Sequence, residues 1–149
     1  MKTFLFLGLF LTTLISSELS LKTPDEAVKA YYKAMNSADI SRLEQVMVKS
    51  SFDMTIKVWA LSKALQDKAF AQTLKAYGTS PEIDKVVQNA VKIKLQNSPA
   101  KNISHLILTP LGNSRCMVRY KENAKEKQLY TSLHKKRWKI DYKAGRKID

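Results

Sequence analysis

Residues 115–121 read Arg-Cys-Met-Val-Arg-Tyr-Lys. Cys116, Val118 and Tyr120 alternate with Arg115, Met117 and Arg119. A period of two belongs to a strand with one apolar and one polar face, because successive side chains of a strand point to opposite sides. A helix, at 3.6 residues per turn, would mix the two sets. The stretch therefore predicts a half-buried strand whose arginines face away from the core.

Toward the C-terminus, Glu122-Asn123-Ala124 reads as a turn. Residues 127–134 alternate again, with Leu129, Thr131 and Leu133 opposed to Gln128, Tyr130, Ser132 and His134. A tight turn near Lys135-Lys136 leads to a last strand with Trp138, Ile140 and Tyr142 inward. In the other direction, Leu111-Gly112-Asn113 is a turn, and residues 103–109 are rich in β-formers. Strands joined by short turns pair antiparallel, so residues 103–142 predict a meander.

Before Pro99 the period is helical. Thr23, Pro24 and Glu26 give an N-cap, a first-turn proline and a capping-box acid. Ala27, Val28, Tyr31, Tyr32 and Met35 then recur at helical spacing. Ser41 and Glu44 read as a second capping box, ahead of Leu43, Val46 and Met47. Residues 55–77 read as one longer helix, with Val58, Leu61, Leu65, Phe70, Leu74 and Tyr77 near one face and Gly78 as its C-cap. Ser80 and Pro81 open another helix carrying Ile83, Val86, Val87 and Ala90. Helices first and a meander last predict one α+β domain over residues 18–149.

Residues 1–17 stand apart. Lys2 precedes an apolar run from Phe4 to Ile15, and Ser16 and Ser17 supply small residues for cleavage. That is the layout of a secretory signal. The run is shorter than the ~20 residues that span a bilayer, so a cleaved signal is expected and a retained anchor is the alternative. The expected compartment is periplasmic or extracellular.

The chain carries 26 Lys and Arg against 13 Asp and Glu, for a net charge of +13. The excess is uneven. Residues 18–98 hold 12 basic and 9 acidic residues, whereas residues 99–149 hold 13 and 4. Arg115, Arg119, Arg137 and Lys139 fall at outward positions of two strands, and Lys135, Lys136, Lys143, Arg146 and Lys147 add to the edge and tail. Such a face concentrates anions by electrostatic focusing; its other reading is a solubilising surface. For an exported chain the matching partners are anionic lipid, lipopolysaccharide, an acidic wall polymer or an acidic protein. Nucleic acid fits poorly, since no recognised nucleic-acid motif is present.

Motifs for other chemistry are missing. His105 and His134 are the only histidines and Cys116 is the only cysteine, with no ligand spacing among them, so no metal is expected. The four glycines are isolated, so no phosphate loop and no cofactor are expected. Cys116 reads as a small core residue, with a reactive thiol beside His105 or His134 as the alternative.

The opening Thr23-Pro24-Asp25-Glu26-Ala27-Val28-Lys29-Ala30-Tyr31-Tyr32, followed by Met35-Asn36-Ser37-Ala38-Asp39, resembles the first helix and turn of the nuclear transport factor 2-like superfamily. It is most similar to small exported bacterial members with a cystatin-like, lumazine-binding-like domain. The closing Lys136-Arg137-Trp138-Lys139-Ile140-Asp141 is similar to that group's last strand. The resemblance implies helices packed on a curved antiparallel sheet, a Trp against the helices, often a conical pocket and often a homodimer. Such a pocket would be lined by Tyr31, Tyr32, Val118, Tyr120, Thr131 and Trp138. Some members are isomerases that use a pocket Tyr with a carboxylate base; here Asp53 with Tyr31 or Tyr32 stands in comparable order, without the second acid on a later strand. Fold does not set function. Three readings follow: a non-catalytic binding module, a pocket isomerase or dehydratase using Asp53, and a structural module for envelope assembly or dimerisation.

Overall fold

The computed structural model describes residues 19–78 and 80–146, so the signal reading at 1–17 and Lys147 lie outside the described residues. Five helices precede four strands: α1 (Pro24–Asn36), α2 (Ile40–Val46), α3 (Lys49–Gln66), α4 (Lys68–Tyr77), α5 (Glu82–Gln96), β1 (Ile103–Pro110), β2 (Arg115–Glu122), β3 (Lys125–His134) and β4 (Arg137–Ile140). The strands form one antiparallel sheet in the order β1-β2-β3-β4. The class is α+β, as the sequence predicts.

α1 starts where Thr23 and Pro24 place it, but the Thr23 side chain makes no cap hydrogen bond. Glu26 instead reaches back and accepts from the Lys22 amide at 2.7 Å and from the Ser20 hydroxyl at 3.2 Å. α1 buries Ala27, Val28, Ala30, Tyr31, Tyr32, Ala34 and Met35. They join Leu43, Val46, Met47, Phe52, Cys116, Val118, Tyr120 and Ile140 in the main core. Beyond β4, Met47 pairs with Ile140 in a parallel bridge and the Val48 amide donates to the Ile140 carbonyl at 2.9 Å. That contact sets the start of α3 against the sheet edge.

Three sequence expectations are corrected. The cap of α2 is Asp39, whose carboxylate accepts from the Arg42 amide at 2.9 Å; Ser41 lies inside the helix. The single helix over 55–77 is two helices. Asp67 breaks it by taking extended backbone and capping α4 through the Phe70 amide at 3.0 Å, a role that suits Asp better than mid-helix does. The apolar stripe chosen on α3 is the solvent-facing one: Val58, Leu61 and Leu65 are exposed, whereas Phe52, Ile56 and Ala60 are buried. α3 is apolar on two sides, so periodicity alone could not say which side meets the core.

Candidate functional site

The sheet has an inner and an outer side, and the ladder assigns each residue to one. Cys116, Val118 and Tyr120 are buried under the helices. Their neighbours Arg115, Met117 and Arg119 therefore point outward. Arg115 stands opposite Ser132, and Ser132 opposite Lys139. His134 stands opposite Arg137 one step along the same side. Arg115 and Lys139 thus lie two strand spacings apart, roughly 10 Å.

Arg119 is separate from them. It lies four residues from Arg115 on β2, about 13 Å along the strand, opposite Gln128. There it lines a shallow hollow of about 350 Å³ with His105, Ile107, Lys121, Glu126 and Lys127. Between the two groups, Met117 pairs with Tyr130. The C-terminal turn folds back over Tyr130: a Cβ at Gly145 would sit 2.5 Å from the Tyr130 ring, so only glycine permits the approach. The guanidinium of Arg115 donates to the Ala144 and Arg146 carbonyls at 3.4 Å each. Of the four cations predicted to share a face, the register gathers Arg115, Arg137 and Lys139 at one end of the outer side and leaves Arg119 at the other.

More cations join the first end from residues off the ladder. Lys22, Lys135, Lys136 and Arg137 line one hollow of about 390 Å³ with Leu19, Ser20 and Leu21. The Trp138 amide donates to the Leu21 carbonyl at 2.8 Å, which clamps this N-terminal strap to β4. Lys22 was not picked out by sequence, because only the fold brings the strap beside the hairpin.

One acid sits inside the basic end. The Ser132 hydroxyl donates to Asp141 at 2.7 Å and lies 2.7 Å from Nε2 of His134. Ser132 has one proton and gives it to the carboxylate, so His134 donates through Nε2. The order His to Ser to Asp is the reverse of a nucleophile triad, in which the imidazole takes the serine proton. Asp141 also accepts from the Lys143 amide at 2.9 Å. The chain braces the C-terminal turn.

The pocket expected at Tyr31, Tyr32, Val118, Tyr120, Thr131 and Trp138 is not a cavity of these six. Val118 and Thr131 are 0% exposed, and Tyr31, Tyr32 and Tyr120 are buried, so these side chains fill the core. Trp138 is half-buried and packs on that core beside the Leu21 strap, opposite Leu133. The tyrosines make two polar contacts inside it. Tyr31 faces the Tyr142 hydroxyl at 3.4 Å, which Thr55 on α3 also reaches at 3.4 Å. Tyr32 donates to Glu122 at 2.5 Å and lies 2.8 Å from the Tyr120 hydroxyl. With its own proton on Glu122, Tyr32 must accept from Tyr120. Glu122 was read as a turn residue; it is the last inward position of β2, and the alternation Cys116, Val118, Tyr120 already pointed to it.

These contacts hold protons in place. Burial, then the hydrogen bond to Glu122, pushes the Tyr32 hydroxyl well above its ordinary value. Burial and the neighbouring Tyr142 raise Tyr31, and burial raises Tyr120. All three are hydrogen-bond donors or acceptors at neutral pH, and none is a base. Asp53 is elsewhere. It is ion-paired with Lys49 at 2.6 Å, half in solvent, on the rim of a cleft between α3, α4 and α5. The carboxylate–tyrosine arrangement considered for an isomerase is not assembled by Asp53 with Tyr31 or Tyr32.

Cys116 is buried at 3% exposure and burial pushes its thiol up. It faces inward, whereas His134 faces outward on Ser132. Among the described residues no group of three His, Cys, Asp or Glu is arranged to hold a metal ion, and no helix is long and apolar enough to cross a membrane. Compared with family models, with curated proteins and with solved structures, the chain matches none.

Proposed function

We propose that this chain is an exported, non-catalytic binding domain of the nuclear transport factor 2-like type, and that it holds anionic groups of the cell envelope on the basic end of its sheet. What carries the reading is the row Arg115–Ser132–Lys139 with Arg137 one step along, flanked by Lys22, Lys135 and Lys136. Cations drawn from two strands, a turn and a strap converge there. A merely solubilising surface has no reason to cluster them, since dispersed charges of both signs serve solubility better. The filled core under α1 argues for surface recognition over pocket chemistry. Charge of one sign on a rigid sheet focuses field lines and raises local anion concentration.

The test is binding of the purified protein to a soluble polyanion, inorganic polyphosphate, at increasing salt. Affinity should fall as the screening length drops toward ~8 Å at physiological ionic strength. The double reversal Arg137→Glu with Lys139→Glu should abolish binding and leave the melting temperature within a few degrees, because substitutions outside the core change stability by about 0.5 kcal/mol or less. Equal binding by the reversed variant would overturn the reading.

A further inference from the structure

We infer that the tip of the β3–β4 hairpin, with the strap beside it, docks on the surface of an anionic phospholipid bilayer. The inference rests on the basic-end reading above and names its partner.

The charge is concentrated and fixed. Four cations and no acid line the hollow formed by residues 19–22 and 135–137. Among the described residues, no carboxylate lies within ion-pair distance of the ammonium groups of Lys22, Lys135 or Lys136. Asp25, three residues from Lys22, is ion-paired with Lys29 at 2.8 Å, and Glu26 accepts from the Lys22 amide and the Ser20 hydroxyl, which pins the strap.

The turn chemistry points the same way. Lys135 and Lys136 have φ of 47° and 66°, and they form the whole loop between the paired residues His134 and Arg137. A two-residue loop with both φ positive favours Asn-Gly, and other L residues adopt it at a cost. The β2–β3 turn has the same geometry, with φ of 47° and 70°, and fills it with Asn123 and Ala124. Two lysines in the corresponding place are bad turn formers. They do place two ammonium groups at the outermost point of the hairpin.

Apolar groups complete the surface. Leu133 is 38% exposed and stands opposite the half-buried Trp138 just behind the turn; Leu19 lines the hollow itself. An exposed leucine at the tip of a hairpin rich in Lys and Arg is a composition that settles at a membrane–water interface. A soluble anion would need only the cations.

Each cation near an anionic surface is worth about fivefold in affinity. The experiment measures co-sedimentation of the protein, purified as cells process it, with vesicles of phosphatidylglycerol and phosphatidylcholine. Lys135→Gln, Lys136→Gln and Arg137→Gln together should weaken binding about a hundredfold. A matched triple at the other end, Arg119→Gln, Lys121→Gln and Lys127→Gln, should cost less than tenfold. Leu133→Ser should weaken vesicle binding severalfold and leave polyphosphate binding unchanged. The pair Lys135→Asn with Lys136→Gly suits the turn while removing both charges, so lost vesicle binding in a variant that melts no lower assigns the loss to charge. Equal losses in the two triples would overturn the hairpin docking and leave the basic-end reading standing. Polyphosphate binding without vesicle binding, or release from vesicles by millimolar inorganic phosphate, would overturn the bilayer as partner. Failure to bind either probe would overturn both readings.

Discussion

At Tyr32 the buried face of α1 meets the carboxylate of Glu122, and the consequence is a pH limit on the fold. Tyr31, Tyr32 and Tyr120 all have hydroxyls raised by burial first. The unfolded chain loses these protons near pH 10 and the folded chain keeps them. The folded state therefore binds more protons above pH 10, and stability falls as pH rises beyond it. Below pH 10 both states are neutral at these groups and their contribution is fully present. Each such tyrosine removes about 1.4 kcal/mol per pH unit above that point. Three of the six tyrosines should therefore resist ionisation until the chain unfolds, seen as a step in tyrosinate absorbance that coincides with loss of the helical circular dichroism. A smooth titration of all six in a folded protein would contradict the core described. The individual partners were only half legible in the sequence. Helical spacing put Tyr31 and Tyr32 in the core correctly, and alternation put Tyr120 there. Glu122 escaped because a carboxylate before Asn123-Ala124 looks like turn chemistry, although the alternation of Cys116, Val118 and Tyr120 extends to it, and the register shows that β2 runs that far.

At the scale of the element, the strands were read well and the middle helices were not. A strand with one wet face prints its orientation as alternation, so β2 and β3 were legible in outline. Even there Leu133 is exposed, because the sheet ends near it and no helix covers it. α3 prints no such signal. Met54, Val58, Leu61 and Leu65 form one apolar stripe and Phe52, Ile56 and Ala60 another, and only docking of α4 and α5 decides between them. The decision is measurable. Ile56→Ala should cost about 2–4 kcal/mol, as buried aliphatic truncations do. Leu65→Ala, at 81% exposure, should change stability by less than about 0.5 kcal/mol. Urea unfolding of the two variants checks both values; the opposite ranking would mean that α3 is turned about its axis. The break at Asp67 was missed for a related reason. Asp is tolerated inside a helix at modest cost, so its capping role becomes visible only once the Phe70 amide is seen to be its partner.

Across the whole molecule the charge asymmetry of the sequence becomes an asymmetry of surface. The part from residue 99 onward carries most of the excess charge, and the sheet it builds shows a basic end formed by β2, β4, the hairpin tip and the strap. Sequence alone named Arg115, Arg119, Arg137 and Lys139 for one face, since alternation sets side. It could not separate Arg119, because position along a strand matters only after the strands are in register, nor include Lys22, which arrives from the other end of the chain. The central claim is that this end, and no other surface, holds anionic groups. The most direct measurement is the backbone amide NMR spectrum of the ¹⁵N-labelled protein titrated with polyphosphate at low salt. The account expects the shifts to concentrate on residues 20–22, 115, 132–139 and 143–146, with α3 and α5 unmoved. Shifts centred on the α3–α5 cleft, or spread evenly over every lysine-bearing surface, would contradict it.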